Sequence, residues 1–299
     1  MHYSFKFNAI DTSTSFYKID KAAIIEYYEQ CDNAYRDAWG MDQNWQLNLG
    51  LWKKGTKTLA QALQNLNEEI AQKAGIDQNS VVLDAGCGVG GTAIYFAKNF
   101  GCRVIGITLT PHQAEKAREN ARKAKVEQLC NFEVMDFMNT SFEDEHFDVI
   151  TGIESICYAE PKIGFLREAF RLLKKGGRLV LAENLQGKNT LTKAEYDALY
   201  THAFNGCKVV SLDTEAAYLQ NLEAVGFLNF SCENYTDLIR PSIKRLRRFY
   251  YLAAAYNTVH RWLGKPFSAT QEANTKMCYH LLSSLNKGLW SYGIIKARK

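Results

Sequence analysis

Proline and long apolar runs are both scarce in this sequence, and each shortage excludes a class of protein. The 299 residues include only 4 Pro, with 20 Gly, so the chain is neither collagenous nor a proline-rich linker. No uncharged apolar run approaches the roughly 18 residues of a membrane span, and the first residues, MHYSFK, contain no apolar signal core. We therefore expect a cytoplasmic protein without an integral membrane segment.

A strong charge excess is also absent. Lys and Arg number 36 against 32 Asp and Glu, and the formal net charge of +4 is too mild to indicate a nucleic-acid partner. With 46% hydrophobic and 23% charged residues, the chain can bury the core of one large domain or of two small ones.

The spacing of metal ligands is missing as well. The cysteines are scattered without a C-x-x-C pair, and no cluster of histidines accompanies them. We expect reduced, mostly buried thiols and no bound metal. The eight residues are Cys31, Cys87, Cys102, Cys130, Cys157, Cys207, Cys232 and Cys278.

The hydrophobic pattern changes near residue 75. Residues 1–75 indicate a helical N-terminal cap, in which Asp20 and Thr56 can each begin a helix and the aromatic stretch 39–52 suits a lid or loop. From Val81 onward, short apolar runs alternate with helical segments, which predicts a parallel sheet covered on both faces. The predicted strands are Val81–Ala85, Arg103–Thr108, 131–135, Phe147–Ile153 and 177–183, and the predicted helices are 91–99, 111–125 and 163–173.

The last third of the sequence departs from this alternation. A helix over 213–224 and a strand over 227–235 precede two helical segments, 241–263 and 271–287, and a closing strand over 290–297. Residues 238–288 are therefore predicted to form a helical lid, inserted before the last strand of a core that spans residues 76–299.

A glycine-rich turn follows the first strand of that core. The residues at 81–91 are VVLDAGCGVGG, and Gly86, Gly88 and Gly91 fit the spacing G-x-G-x-x-G. Glycines at this spacing form a tight turn whose backbone can touch a ligand at the carboxyl end of the sheet. The spacing alone suits a dinucleotide as well as other adenosine cofactors.

Three neighbouring features weigh against a dinucleotide. Asp84 would repel a pyrophosphate but could hold a ligand ammonium. The second strand ends at Thr108 without the Asp or Glu that takes the ribose hydroxyls of NAD. Asp136 and Phe137, after the third strand, offer a carboxylate for an exocyclic amine and a ring for an adenine pocket.

These residues resemble the class I S-adenosylmethionine-dependent methyltransferases. The glycine motif is similar to that family's, and so are the later runs FDVI at 147–150 and LLKKGGRLV at 172–180. Within the family, the run GITLTPHQ at 106–113 resembles the tocopherol, sterol and isoprenoid C-methyltransferases and the cyclopropane fatty acid synthases.

The resemblance carries expectations about fold and cofactor. It implies an α/β fold with a doubly wound, mostly parallel Rossmann-like sheet and a final antiparallel strand. It also implies S-adenosylmethionine as the cofactor, with Thr108, Leu109 and Gln113 contacting the adenosyl ribose region.

The residues after the fourth strand supply the candidate catalytic group. Ile153 and Glu154 begin the run IESICY, which resembles the tocopherol and sterol enzymes and differs from the Asn/Asp-Pro-Pro-Tyr of enzymes that methylate nucleic-acid amines. If a carbon is methylated, positive charge develops and a proton must leave, so Glu154 is the candidate base. A purely structural Glu154 is the alternative. His202, after the fifth strand, is a second catalytic candidate, with a structural role as its alternative.

Aromatic residues and one cationic run fall in the two helical additions. The run SIKRLRRF at 242–249 could meet an acidic lipid surface or an acceptor phosphate, or could remain a solvated helix face. The aromatic residues could line an apolar acceptor pocket or belong to ordinary core. They are Tyr27, Tyr28, Trp39, Trp45, Trp52, Tyr250, Tyr251 and Tyr256.

The sequence thus predicts an enzyme that transfers the methyl group of S-adenosylmethionine to a small lipophilic or aromatic acceptor. C-methylation is favoured, and O- or N-methylation is the alternative. Two other classes stay open, a nicotinamide oxidoreductase and an inactive S-adenosylmethionine-binding module. A small-molecule acceptor is the expected partner, with peripheral lipid contact left open and no oligomeric state indicated.

Overall fold

The computed structural model describes residues 10–11 and 20–299, in which strands and helices alternate as follows. The strands are β1 (Ile10–Asp11), β2 (Val81–Ala85), β3 (Arg103–Thr108), β4 (Cys130–Val134), β5 (Phe147–Ile153), β6 (Leu173–Gln186), β7 (Thr190–Leu191), β8 (Leu228–Asn234) and β9 (Trp290–Arg298). The helices are α1 (Lys21–Trp39), α2 (Met41–Asn44), α3 (Leu59–Ala74), α4 (Gly91–Phe100), α5 (Pro111–Ala124), α6 (Lys162–Leu172), α7 (Lys193–Tyr196), α8 (Glu215–Val225), α9 (Thr236–Trp262) and α10 (Ala269–Asn286).

The main sheet has seven strands in the order β4-β3-β2-β5-β6-β9-β8. Strands β2 to β6 pair in parallel, while β9 lies between β6 and β8 and is antiparallel to both. The doubly wound, mostly parallel sheet with a final antiparallel strand is therefore confirmed. The strand order reverses at β2, which lies between β3 and β5, and such a switch point leaves a crevice at the carboxyl ends of the strands.

Both faces of the sheet are covered by helices. Alternate strand residues point to opposite faces, so Val82 packs with α3, α4 and α5, whereas Leu83 packs with α6 and α8. Because both faces are buried, the central strands are continuous apolar runs, which is the pattern that predicted them.

The observed bounds agree closely with most predicted elements and correct three of them, namely β6, the start of α3 and the start of α9. Strands β2, β3 and β5 have the predicted bounds, but β6 is longer than the predicted 177–183. The predicted cap at Thr56 is wrong. Thr58 is the residue that begins α3, because its hydroxyl accepts from the Gln61 amide and the Gln61 side chain accepts in return from the Thr58 amide. The Thr56 hydroxyl instead accepts a hydrogen bond from Asn65.

The helical additions lie at the two places that the sequence indicates. Helices α1 and α2 precede the sheet, and α9 and α10 lie between β8 and β9. Helix α9 begins at Thr236 and contains Pro241, so the start predicted at residue 241 was too late. Helix α3 packs on the sheet, with Leu66 and Ile70 in the same core as Val82. The division of the chain at residue 75 stays a prediction.

None of the helices in the described part of the chain is long and apolar enough to cross a bilayer. The eight cysteines, all within the described residues, are free thiols, four of them buried. The cytoplasmic location stays a prediction.

Candidate active site

A cavity opens at the carboxyl ends of β2, β3 and β5 and runs between the sheet and the helical additions. Most of the predicted site residues line it. They are Asp84, Gly86, Gly88, Gly91, Thr108, Leu109, Gln113, Phe137, Ile153 and Glu154. The topology brings them together because they lie at or just after the carboxyl ends of four adjacent parallel strands, β4, β3, β2 and β5.

The glycine turn after β2 is shaped by close packing on two sides. A Cβ at Gly86 would lie 2.3 Å from Cβ of Ser155, and one at Gly91 would lie 2.2 Å from the carbonyl oxygen of Trp45. A Cβ at Gly88, whose φ is +53°, would meet no atom within 4 Å. The turn is therefore packed against its neighbours at Gly86 and Gly91 and faces open space at Gly88.

Asp84 lies buried at the end of β2, where it lines the cavity. Burial raises the pKa of Asp84 to about 7, against the opposing effect of a hydrogen bond from the Ala93 amide. Its Oδ2 atom is buried and has no hydrogen-bond partner among the described residues. An unpartnered carboxylate oxygen at this position would gain from a cationic or hydrogen-bond-donating ligand.

Thr108 and Gln113 are held together at the end of β3. The Thr108 hydroxyl donates to Oε1 of Gln113 at 2.9 Å, and both side chains are buried beside the cavity. Since its carbonyl oxygen is occupied, Gln113 can present its amide N–H groups to a ligand.

Glu154 follows β5, lines the cavity and has a left-handed backbone conformation, with φ of 53°. Its Oε1 accepts hydrogen bonds from the Leu49 amide at 2.8 Å and from the Tyr292 hydroxyl at 2.9 Å. Oε2 makes no hydrogen bond within the described ranges. Burial raises the pKa of Glu154 to about 7, although the bonds from Leu49 and Tyr292 oppose the rise. The group can therefore gain or lose a proton near neutral pH.

Glu183 fixes the turn that carries Glu154. Its Oε1 accepts from the amides of Ser155 at 3.0 Å and Ile156 at 2.8 Å, and its Oε2 is buried without a partner in the described chain. Burial raises the pKa of Glu183 to about 8 against those two hydrogen bonds, and the nearby Glu154 adds to the rise.

The rest of the cavity is mostly apolar and aromatic. Helix α1, the π-helical segment Asp197–Phe204, α9 and α10 contribute its walls. Tyrosine hydroxyls there bond to neighbouring groups: Tyr28 donates to Tyr158 at 3.3 Å, and Tyr158 donates to the carbonyl of Cys207 at 2.7 Å. Five of the aromatic residues singled out in the sequence line the cavity, namely Tyr27, Tyr28, Trp39, Trp45 and Tyr250. Trp52, Tyr251 and Tyr256 are not among the lining residues.

Two of the predicted site residues are not brought to the cavity. Asp136 forms an ion pair with Lys21 of α1 and accepts from the Met138 amide. His202 is exposed and stacks on His280, with ring centroids 5.1 Å apart. His202 lies on the exposed side of the π-helical segment and is not among the residues that line the cavity, and its catalytic role stays an untested prediction.

The sequence analysis did not predict several residues that line the cavity or support its side chains. Gln46 and Asn184 line the cavity, and Oδ1 of Asn184 is buried without a partner among the residues that the structure describes. The signal for Asn184 was its polarity at the carboxyl end of an apolar strand. Leu49 and Tyr292 offered no signal, since they reach Glu154 only through contacts between segments that are more than 100 residues apart.

Comparisons with known proteins agree with this geometry. The family model described as "Methyltransferase domain" matches residues 83–181. The chain is 32% identical over 213 residues to the 27-O-demethylrifamycin SV methyltransferase of Amycolatopsis mediterranei, covering 70% of this chain and 77% of that enzyme. It is 34% identical over 161 residues to the sterol 24-C-methyltransferase of Saccharomyces cerevisiae, and that match covers 54% of this chain but only 41% of the yeast enzyme.

The fold is also shared with a solved enzyme of low identity. The geranyl diphosphate C-methyltransferase of Streptomyces coelicolor, crystallised with S-adenosyl-L-homocysteine, superposes with a TM-score of 0.72 at 17% identity, over 95% of this chain and 99% of that one. These matches set aside the nicotinamide oxidoreductase. The glycine turn after β2, the reversal of strand order beside it and the rifamycin and sterol relatives together place this chain in the class I S-adenosylmethionine-dependent methyltransferases.

Proposed function

We propose that the protein transfers the methyl group of S-adenosylmethionine to an uncharged lipophilic acceptor, with carbon as the preferred site of methylation. One observation carries the proposal. A continuous cavity joins the glycine turn to a mostly apolar, aromatic chamber between α1, the π-helical segment Asp197–Phe204, α9 and α10. Asp84 and Glu154 are the only charged residues among the described lining of this cavity.

The residues at the glycine turn fit the cofactor. The buried, unpartnered Oδ2 of Asp84 can receive the cationic part of the cofactor, directly or through water, and the open space at Gly88 leaves room beside the backbone. Thr108, Leu109 and Gln113 would then hold the adenosyl ribose region. When bound, S-adenosylmethionine supplies an electrophilic methyl group on a sulfonium.

The chamber favours an acceptor without charge. Its described lining contains no Lys, Arg or His, so a phosphate or diphosphate would be buried there without a counter-charge at a cost of several kcal/mol. The geranyl diphosphate enzyme acts on such an anion, and we expect this chain to differ from it in that respect. Aromatic walls suit a ring system or a polyene, and they exclude water from the methyl transfer.

Glu154 is the group that can remove a proton. Leu49 and Tyr292 fix its Oε1, which leaves Oε2, without a hydrogen bond from the described residues, as the basic atom. When an alkene or electron-rich ring carbon takes the methyl group, the ionised carboxylate stabilises the developing positive charge and then accepts the departing proton. A pKa of about 7 makes this base effective near neutral pH.

O-methylation is the second candidate, and Asn184 is the observation that favours it. An acceptor hydroxyl could donate to the unpartnered Oδ1 of Asn184, which orients the hydroxyl oxygen toward the cofactor. The rifamycin relative, named as a methyltransferase of 27-O-demethylrifamycin SV, makes an oxygen acceptor chemically consistent.

The test is an acceptor search with labelled cofactor. Purified protein and S-adenosylmethionine carrying a labelled methyl group are incubated with fractionated extracts of the source cells, and labelled products are identified by mass spectrometry and NMR. We expect label in an uncharged lipid fraction, on carbon. Label confined to phosphorylated compounds, RNA or protein would contradict the proposal, and label on a hydroxyl oxygen would select the second candidate.

A further inference from the structure

The outer face of α9 exposes an unusual concentration of apolar side chains. Trp262 is 87% exposed, Leu252 68% and Leu263 66%. With Tyr251, Tyr256 and Val259 they form a surface that we call the outer apolar stripe. The stripe holds most of the large hydrophobic residues that are exposed in the described part of the chain, and its spacing follows successive turns of one helix face.

The segment that carries the outer apolar stripe is rich in positive charge and has no acidic residue. Residues 238–271 contain seven Lys or Arg and no Asp or Glu, whereas the whole chain carries a net charge of only +4. Arg261 is paired with Glu272 of α10, and Arg247 covers the Tyr279 ring at 3.9 Å. Lys244 and Arg248, one helical turn apart on the exposed face, make no ion pair with any described residue.

The opposite face of the same helix lines the proposed acceptor chamber. Ile243, Leu246, Phe249, Tyr250 and Ala253 are among the lining residues. Helix α9 is therefore the wall between the chamber and whatever lies against the outer apolar stripe.

We propose that α9 is a membrane-docking helix that binds the surface of an anionic lipid bilayer. Its outer apolar stripe enters the boundary between headgroups and acyl chains, while Lys244 and Arg248 contact anionic headgroups. An amphipathic helix with apolar and aromatic residues on one side and flanking cations has the chemistry of an interfacial helix. The helix lies in the plane of the surface and does not span the bilayer. Docking in this orientation would place the chamber next to a source of lipophilic molecules.

Vesicle flotation tests the proposal without cofactor or acceptor, so its outcome is independent of the proposed reaction. The wild-type protein is expected to float with vesicles of phosphatidylcholine and phosphatidylglycerol and to bind weakly to phosphatidylcholine alone, with binding reduced by salt. The variant Lys244→Gln/Arg248→Gln should bind the anionic vesicles at least tenfold more weakly, on the basis of about fivefold per cation. Leu252→Ser/Val259→Ser/Trp262→Ser should abolish binding.

Matched controls separate docking from general changes in charge or stability. Lys98→Gln/Arg103→Gln removes two cations near the amino ends of the strands, and Leu228→Ser removes an exposed apolar residue from the edge strand β8. Both controls should bind vesicles like the wild type. Trp262 fluorescence is a second readout, because the other four tryptophans are buried or partly buried. Anionic vesicles should shift the emission to shorter wavelength, and Trp262→Phe should lose the shift while still binding.

Three outcomes would overturn the proposal. The wild type fails to bind anionic vesicles, or the α9 variants bind as well as their controls. In the third, the wild type forms a concentration-dependent dimer in sedimentation and does not bind vesicles, and the triple serine variant is monomeric. That result would assign the outer apolar stripe to a second copy of this chain. Circular dichroism of each variant checks that the fold is retained.

Discussion

Asp84 and Glu154 are the two carboxylates of the cavity, and their oxygens have different surroundings. Asp84 has a buried oxygen without a partner in the described chain, and Glu154 has one oxygen fixed by two donors and the other without a hydrogen bond from the described residues. Both positions were predicted from the sequence, because Asp84 lies at the end of a strand and Glu154 just after one, each in a recognisable motif. The donors that orient Glu154 were not predicted, since Leu49 and Tyr292 come from distant segments.

Glu154→Gln is expected to lower kcat about 10²–10⁴-fold, the usual contribution of a general base, while S-adenosylhomocysteine still binds. In the wild type, kcat/KM should rise with pH through about 7, because the base of the free enzyme is active only when ionised. Tyr292→Phe removes a hydrogen bond that lowers the pKa of Glu154, so the rise should move to higher pH. Steady-state kinetics against pH measures both effects.

The control for that series is Glu115→Gln, an exposed residue of α5 outside the cavity lining. Its pH profile should match that of the wild type. If Glu154→Gln kept full activity on an identified acceptor, the assignment of the base would be wrong.

We expect Asp84 to release a proton when the cofactor binds. Its pKa of about 7 means that the carboxyl is partly protonated at neutral pH, and a cationic ligand lowers that pKa. Calorimetric titration with S-adenosylhomocysteine, whose amino group is cationic, should give enthalpies that depend on the ionisation enthalpy of the buffer. Asp84→Asn should remove that dependence and weaken binding about tenfold or more.

Asp144→Asn provides the comparison, since Asp144 is exposed and pairs with Arg171 away from the cavity. It should leave the proton release unchanged. A binding enthalpy of the wild type that is the same in all buffers would contradict the role given to Asp84.

Among the helices and strands of the site, α4 has the most closely packed start. Gly91 opens that helix directly beneath the loop that carries Trp45 and Gln46, with no room for a side chain. The sequence predicted the glycine turn and the helix. It indicated a lid or loop over residues 39–52, but it did not predict that Trp45 and Gln46 of this stretch pack on the start of α4, because no local periodicity encodes that contact.

Gly91→Ala should therefore displace Trp45 and Gln46 from the cavity wall. The added Cβ would lie 2.2 Å from a backbone oxygen, which must move. We expect a loss of unfolding free energy of about 1–3 kcal/mol and weaker binding of S-adenosylhomocysteine, measured by chemical denaturation and calorimetry. Gly164→Ala in α6 is the matched control, because its nearest neighbour is the flexible terminal methyl of Met138. Equal losses in the two variants would show that the Trp45 loop is not the cause.

Three buried carboxyl groups of the protein lie in or near one cavity. The pKa values of Asp84, Glu154 and Glu183 are raised to about 7, 7 and 8, mainly by burial. In the unfolded chain such groups titrate near pH 4. Between these limits the folded chain binds more protons than the unfolded chain, so the free energy of unfolding falls as pH rises.

The Tm of the cofactor-free protein is accordingly expected to fall as pH rises from about 5 to 8. Each extra bound proton contributes a slope of up to about 1.4 kcal/mol per pH unit, and the contribution is complete below the unfolded pKa and lost above the folded one. Scanning calorimetry across this range measures the slope, and Glu183→Gln should flatten it. Carboxylates with a lowered pKa, such as Glu69, lose their stabilising effect only at lower pH, outside this window. A Tm that rises with pH would contradict the prediction.

The sequence by itself determined the alternation of strands and helices, the glycine turn, the S-adenosylmethionine family and most of the residues that line the cavity beside the glycine turn. These features are local, because hydrophobic periodicity and short motifs record which side of a strand or helix is buried. Only the tertiary structure decided the acceptor side: that His202 faces outward, that Leu49 and Tyr292 orient Glu154, and that α9 lines the chamber on one face while exposing an apolar stripe on the other. Those features depend on how distant segments pack, and a helix with apolar residues on both faces does not reveal in its own sequence which face the fold will cover.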